Sequence, residues 1–193
     1  RKFVLNFVKK SQIRKKFLKL RESKLQKVKS INHNNIIKLL KKKGIKGKIV
    51  GGYYPYNNEL DCIQILEKLE KKNYTISLPK IKKNFQMDFI KWSPKEPLII
   101  NKFGIPEPSN GKIKFPDILL IPLLSFDKKL NRVGYGGGFY DRYIHRIKRK
   151  KKPLLVGLAY SFQRVKSITV NKYDKKLDFV VTERKIIGWE YCF

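Results

Sequence analysis

The sequence predicts an α/β fold, a layered and mainly parallel sheet flanked by helices, and three observations predict it. Short apolar strand-like runs alternate with segments of helical period along most of the chain. The longest apolar stretch, Ile118 to Leu124, reads as a buried strand end rather than a one-sided strand. Directly after it comes a glycine-dense segment that leads into an amphipathic helix, the place where such folds put ligands.

The elements follow in order. Apolar residues at Phe3, Phe7, Ile13, Phe17, Leu20 and Val28 fall mostly three or four apart, so a helix with a charged outer face is predicted from Phe3 to about Lys29. A second helix, Ile36 to Lys43, stops at Gly44. Lys48 to Tyr54 reads as a strand, then Pro55 and a turn at Tyr56-Asn-Asn58. Glu59 to Lys72 reads as a helix burying Leu60, Ile63, Leu66 and Leu69. Tyr74 to Leu78 is a strand stopped by Pro79, and Phe85 to Trp92 is another strand. Ser93 to Pro116 carries five prolines and is expected to be loop. Asp117 to Ile121 is a strand, a helix opens at Gly136 or Gly138 and runs to about Lys148, and Pro153 to Ala159 and Phe179 to Thr182 are closing strands.

Composition bounds the function. At 193 residues the chain suits one domain or two small ones, and an apolar share of 41% excludes a disordered protein. No run approaches the ~18 apolar residues of a membrane-spanning helix. The sequence starts at Arg1 rather than Met, and Arg1 to Lys10 has no signal-peptide apolar core. Cys62 and Cys192 are too far apart to form a metal-ligand pattern and fit a reducing, cytoplasmic setting. The formal net charge of +31 suggests polyanions, yet the charge is spread along the whole chain. No helix-turn-helix, zinc or RNP-type motif accompanies it, so no specific nucleic-acid partner is expected.

The chemistry concentrates in Asn131-Arg-Val-Gly-Tyr-Gly-Gly-Gly-Phe-Tyr-Asp-Arg142. Gly134, Gly136, Gly137 and Gly138 permit close approach of the backbone to a ligand, and consecutive N–H groups at a helix start make an anion nest. Arg132 adds a cation, so phosphate is the natural guest. Phe139 occupies the third glycine position of a dinucleotide fingerprint, and no Gly-Lys-Ser/Thr follows, so neither common nucleotide loop is present. A glycine turn that merely lets strand and helix pack closely is the alternative. Asp141 suits Mg2+ bridging to phosphate oxygens, or simply the positive end of the helix and Arg142. Lys10 and Arg14 share one helix face, as phosphate contacts or as two solvated cations. Glu59 follows Tyr53-Tyr-Pro-Tyr56, a cluster able to stack on a planar heterocycle or to serve as ordinary core aromatics. His145 lies one turn past Asp141, and His33 sits in a polar turn.

Arg132 through Arg142 resembles the signature of the 5-formyltetrahydrofolate cyclo-ligases, and the rest of the chain agrees from about Lys9 to Glu183. Lys10-x-x-x-Arg14 resembles that family's ATP-contacting pair, and Tyr54-Pro-Tyr-Asn-Asn-Glu59 its folate segment. Leu78-Pro79, Phe103 through Pro108, Asp117 through Pro122, Phe126-Asp127, Gly157 through Gln163 and Leu177 through Thr182 match in order. Two positions depart. Tyr173-Asp174 stands where many members have His-Asp, and Phe139 replaces a usual tyrosine, keeping the ring and losing a hydroxyl.

The resemblance implies a single cyclo-ligase domain of CoA-transferase-like layered architecture. It further implies ATP- and Mg2+-dependent closure of 5-formyltetrahydrofolate, including polyglutamylated forms, to 5,10-methenyltetrahydrofolate, by a cytoplasmic monomer. Lys10, Arg14 and Arg132 through Tyr140 (with Val133 and Tyr135) would hold ATP. Tyr54, Glu59, Phe139 and Tyr140 would hold folate, and Asp141 with Asp178 would hold the metal.

Overall fold

The computed structural model describes residues 9–24 and 33–188. The ends of the long helix expected from Phe3 to Lys29 lie outside those residues, as does Cys192. Four helices are described: α1 (Lys10–Lys24), α2 (His33–Lys42), α3 (Ile63–Glu70) and α4 (Phe139–Ile147). One large sheet combines β1 (Ile49–Gly51), β2 (Thr75–Ile81), β3 (Met87–Lys91), β6 (Ile113–Lys114), β7 (Ile118–Pro122), β10 (Leu154–Leu158), β11 (Phe179–Val181) and β12 (Ile186–Ile187). Its order is β12-β11-β10-β7-β1-β2-β3-β6. The five central strands pair in parallel, and the antiparallel strands β12, β3 and β6 flank them. Two small antiparallel pairs stand apart, β4 (Ile99–Ile100) with β5 (Pro106–Glu107), and β8 (Ser125–Phe126) with β9 (Arg132–Val133).

The layers follow from residues that are apolar on both faces of the central strands. Ile118 and Leu120 of β7 face α2 and α3, packing with Leu39, Leu40, Ile65, Leu66 and Leu69. Leu119 and Ile121 face the other way, toward Tyr143, Ile144 and Ile147 of α4. A third cluster joins Ile13 and Phe17 of α1 to Leu124, Val133 and Ile168, which seats α1 over the β8–β9 hairpin.

Several elements differ from expectation for identifiable reasons. Pro79 does not end β2; it pairs opposite Phe89 of β3. The β2–β3 hydrogen bonds use even-numbered residues such as Ile76 and Lys82, so the prolyl nitrogen points to the side where β1 has already ended. The third helix opens at Ile63 rather than Glu59, because Glu59 is held in a turn by its own backbone and carboxylate. The proline-rich stretch expected to be loop contains β4, β5 and β6. Gly44, with φ +58, ends α2 as predicted.

Candidate active site

The C-terminal ends of β1, β2 and β7 open into a cleft of about 1320 Å³. Its floor is the glycine loop, and the β8–β9 hairpin aims that loop. Asp127 in the hairpin turn accepts hydrogen bonds from Lys129 N (2.9 Å), Asn131 N (3.0 Å), Asn131 Nδ2 (2.9 Å) and Ile168 N (3.0 Å). A fully buried carboxylate with four donors fixes where Arg132 and Val133 leave the hairpin. Gly138, in the left-handed region at φ +64, then caps α4. None of the backbone N–H groups from Gly134 to Gly138 has an acceptor among the described residues. Free donors at a helix start form the anion nest that the glycine pattern suggested.

Helix α1 lays its cations over this loop. Arg14 Nε donates to Gly134 O at 2.9 Å, and a Cβ on Gly136 (φ +108) would stand 3.3 Å from the Arg14 guanidinium carbon. The positive φ calls for glycine there, and the nearby guanidinium leaves little room for a side chain. Lys10 pairs with Asp174 in the last loop, and Asp174 also accepts from Asn171 N at 2.7 Å. Arg132 sits behind Asp141 rather than at the front of the cleft. Its Nη2 donates to Asp141 Oδ1 at 2.9 Å and its Nη1 to the Lys175 carbonyl. Val133, expected with the ATP residues, turns its side chain into the cluster under α1.

Asp141 Oδ1 also accepts from Lys175 N at 3.0 Å, while Oδ2 has no partner among the described residues. Asp174 precedes Lys175, so two carboxylates reach the same wall of the cleft. No group of three His, Cys, Asp or Glu able to hold a metal occurs among the described residues. A single free carboxylate oxygen near a phosphate nest fits Mg2+, which takes one or two carboxylates and completes its shell with phosphate and water. Asp178 is not part of this arrangement. Its Oδ2 accepts from Leu155 N at 2.7 Å, and it precedes β11 at the strand's N-terminal end, away from the cleft.

The opposite wall carries the aromatic and acidic groups. Glu59 is 8% exposed, and its Oε2 accepts from Tyr56 N at 3.0 Å. Burial lifts its carboxyl from 4.5 to about 7, against the pull of the Tyr56 N–H, Arg21 and the Tyr135 hydroxyl. Tyr54 and Tyr53 both line the cleft, Tyr53 from within the core, where it donates to Leu60 O at 2.6 Å. The Tyr140 hydroxyl is buried on the cleft with no partner, and burial pushes its pKa well up, so it stays a donor. Phe139 packs against Phe85 (5.7 Å between centroids) and Phe103 (6.0 Å).

Phe85, Phe103, Asp174 and Arg21 were not among the candidate site residues. Phe85 and Phe103 are 55% and 41% exposed, an unusual cost for large apolar rings outside a binding surface. Arg21 shares the helix face of Lys10 and Arg14, which in so basic a chain singles out no residue.

Comparison with known proteins identifies the family. A model of the 5-formyltetrahydrofolate cyclo-ligase family matches residues 6–183. The chain belongs to that family. The 5-formyltetrahydrofolate cyclo-ligase of Haemophilus influenzae is 34% identical over 140 residues, covering 68% of this chain and 74% of the relative. That of Escherichia coli K12 is 31% identical over 148 residues, covering 72% and 80%. The solution structure of Aquifex aeolicus 5,10-methenyltetrahydrofolate synthetase superposes with a TM-score of 0.71 at 29% identity, covering 95% of this chain and 94% of that one. A Mycoplasma pneumoniae 5,10-methenyltetrahydrofolate synthetase shares the fold, with a TM-score of 0.65 at 23% identity over 91% of this chain and 99% of that one. The cyclo-ligase family member described here is thus a ligase, and the candidate ATP, folate and metal residues line one cleft, Asp178 excepted. No described helix is long and apolar enough to cross a membrane.

Proposed function

We propose that the chain is a single cyclo-ligase domain that converts 5-formyltetrahydrofolate and ATP to 5,10-methenyltetrahydrofolate, ADP and phosphate, using Mg2+. The observation that carries this reading is one continuous cleft with a phosphate nest on its floor and a polar aromatic pocket opposite. A nucleotide on Gly134–Gly138 and a folate against Tyr54 and Glu59 would meet there, as group transfer between two bound substrates requires.

The formyl carbon cannot lose its oxygen as hydroxide readily, so that oxygen first attacks the γ-phosphorus and ADP departs. N10 then adds to the activated carbon and loses its proton, and the carbon–oxygen bond breaks to release phosphate. Lys10, Arg14 and the loop N–H groups spread the charge of the transferring phosphoryl group. Asp141, joined by Asp174, would hold Mg2+, which neutralises phosphate charge when bound. Arg132 keeps Asp141 in place through the 2.9 Å ion pair. Phe139 and Tyr140 shape the folate side, and the unpartnered Tyr140 hydroxyl is a donor awaiting a substrate acceptor. The Phe85, Phe103 and Phe139 rings shelter the reaction from water. The same reading takes the enzyme as a cytoplasmic monomer and admits polyglutamylated substrate because cations dominate the cleft.

The test is direct. Purified protein should raise the near-ultraviolet absorbance of methenyltetrahydrofolate only when ATP, Mg2+ and 5-formyltetrahydrofolate are all present. Absence of product from well-folded protein, or product formed without ATP, defeats the proposal.

A further inference from the structure

Arg21 is among the least exposed charged residues described, at 1%. It lies seven residues past Arg14, close to two helical turns, on the face of α1 that looks toward the glycine loop. No carboxylate lies within ion-pair distance of it among the described residues, Glu59 acting on it only from farther off, and its Nε has no partner. A buried guanidinium without an ion pair is costly, and packing alone would be served better by an apolar side chain.

Its donors go to three separate segments. Nη1 donates to the Tyr135 hydroxyl at 2.6 Å and to Asn57 O at 3.4 Å, and Nη2 donates to the Leu123 carbonyl. Tyr135 belongs to the glycine loop, Asn57 to the turn before Glu59, and Leu123 to the chain leaving β7. The Tyr135 ring lies 5.8 Å from the guanidinium and 6.4 Å from the Tyr56 ring. Asn57 and Asn58 are in the left-handed region, at φ 46 and φ 58, which asparagine tolerates, and the Asn57 carbonyl reaches inward from that turn.

We propose that Arg21 is a positioning residue that locks the phosphate loop to the folate segment, setting the distance across which the phosphoryl group moves. A planar guanidinium with donors in a fixed fork can hold two loops in register, which a lysine cannot. The role rests on the proposed reaction and adds to it a residue that touches neither substrate. Losing the fork frees Tyr135 and the Asn57 turn together, so both substrates bind less well and the transfer geometry loosens.

Tyr135→Phe is the cleanest probe, because it keeps the ring and removes only the hydroxyl at a half-exposed position. Arg21→Lys keeps the charge and removes the fork. Each variant should lower kcat/KM about 10- to 100-fold, with KM for 5-formyltetrahydrofolate and for ATP both raised. The double variant should be no worse than the more impaired single one. A purely structural role would lower the melting temperature and the active fraction while leaving both KM values alone. Wild-type KM values in Tyr135→Phe, or losses that simply multiply in the double variant, overturn the positioning role. A wild-type enzyme with no turnover would instead strike the reaction itself, and this role with it.

Discussion

Glu59 gives the sharpest quantitative prediction. Its carboxyl titrates at about 7 in the folded protein against 4.5 for an ordinary glutamate, chiefly through burial. The folded state therefore binds this proton more tightly than the unfolded chain does. The stabilising contribution is whole below about pH 4.5, declines as pH rises, and is lost above about pH 7. A difference of 2.5 pH units (7 less 4.5) corresponds to about 3 kcal/mol. Glu59→Gln keeps an acceptor for the Tyr56 N–H and removes the titration. Urea unfolding of both proteins at steps from pH 4.5 to 8, at fixed ionic strength, isolates this group because every other titration is shared. The stability gap should move by about 3 kcal/mol in favour of the glutamine variant as pH rises. The wild-type kcat/KM for the formyl folate should also bend near pH 7 and lose that bend in the variant. Parallel stability curves, separated by a constant within about 0.5 kcal/mol, would refute the assignment of a raised pKa to this carboxyl.

Other substitutions separate catalytic from structural acids. Asp141→Asn keeps an acceptor for Arg132 and Lys175 N but removes the charge, so turnover should fall at least about 100-fold with the melting temperature little changed. Asp174→Asn should weaken MgATP binding in titration calorimetry, because it removes both a cleft carboxylate and the partner of Lys10. Asp178→Ala should do the reverse, costing about 1 kcal/mol in urea unfolding through the Leu155 N–H and sparing kcat/KM within a factor of about two. Tyr140→Phe removes a hydroxyl that has no partner in the free protein, so stability should hold or rise by about 1 kcal/mol while KM for the formyl folate climbs.

The parallel core was legible because β1, β2, β7, β10 and β11 are short apolar runs whose helices carry a clear period. The glycine loop was legible for the same reason, since only a few backbone arrangements use four glycines in five positions. Pro79 misled because its effect depends on which side of β2 is paired, and that is a property of β1's length rather than of the proline. Glu59 misled because a helix-forming acid was held in a turn by a backbone N–H three residues earlier. The choice between Asp174 and Asp178 was out of reach for local reading. The two differ by four positions in an irregular loop, yet one faces Lys10 and the other the start of β10. Arg21 was invisible for a different reason. In a chain with 46 Lys and Arg, one more cation carries no signal until its burial is known.

The cleft gathers groups whose demands the free protein leaves unmet. Tyr140 OH is one of four buried side-chain atoms without a hydrogen-bond partner among the described residues, and it alone of the four belongs to a cleft-lining residue. Beside it stand the free N–H groups of Gly134–Gly138, the open Oδ2 of Asp141 and the burial-raised carboxyl of Glu59. The other three, Arg21 Nε, Ser125 Oγ and Tyr143 OH, belong to residues that do not line the cleft. Each unmet group matches a substrate feature of opposite kind: donors on the loop for phosphate oxygens, a carboxylate for a heterocycle's N–H groups, a hydroxyl for a formyl or ring acceptor. Such matching is what an enzyme complementary to a strained, charged transfer step requires, because interactions withheld from the protein itself remain available to the reacting groups. Stability sacrificed at Tyr140 and Glu59 is therefore the physical counterpart of the proposed transfer chemistry, which that reading sets between α1 and the N-terminus of α4.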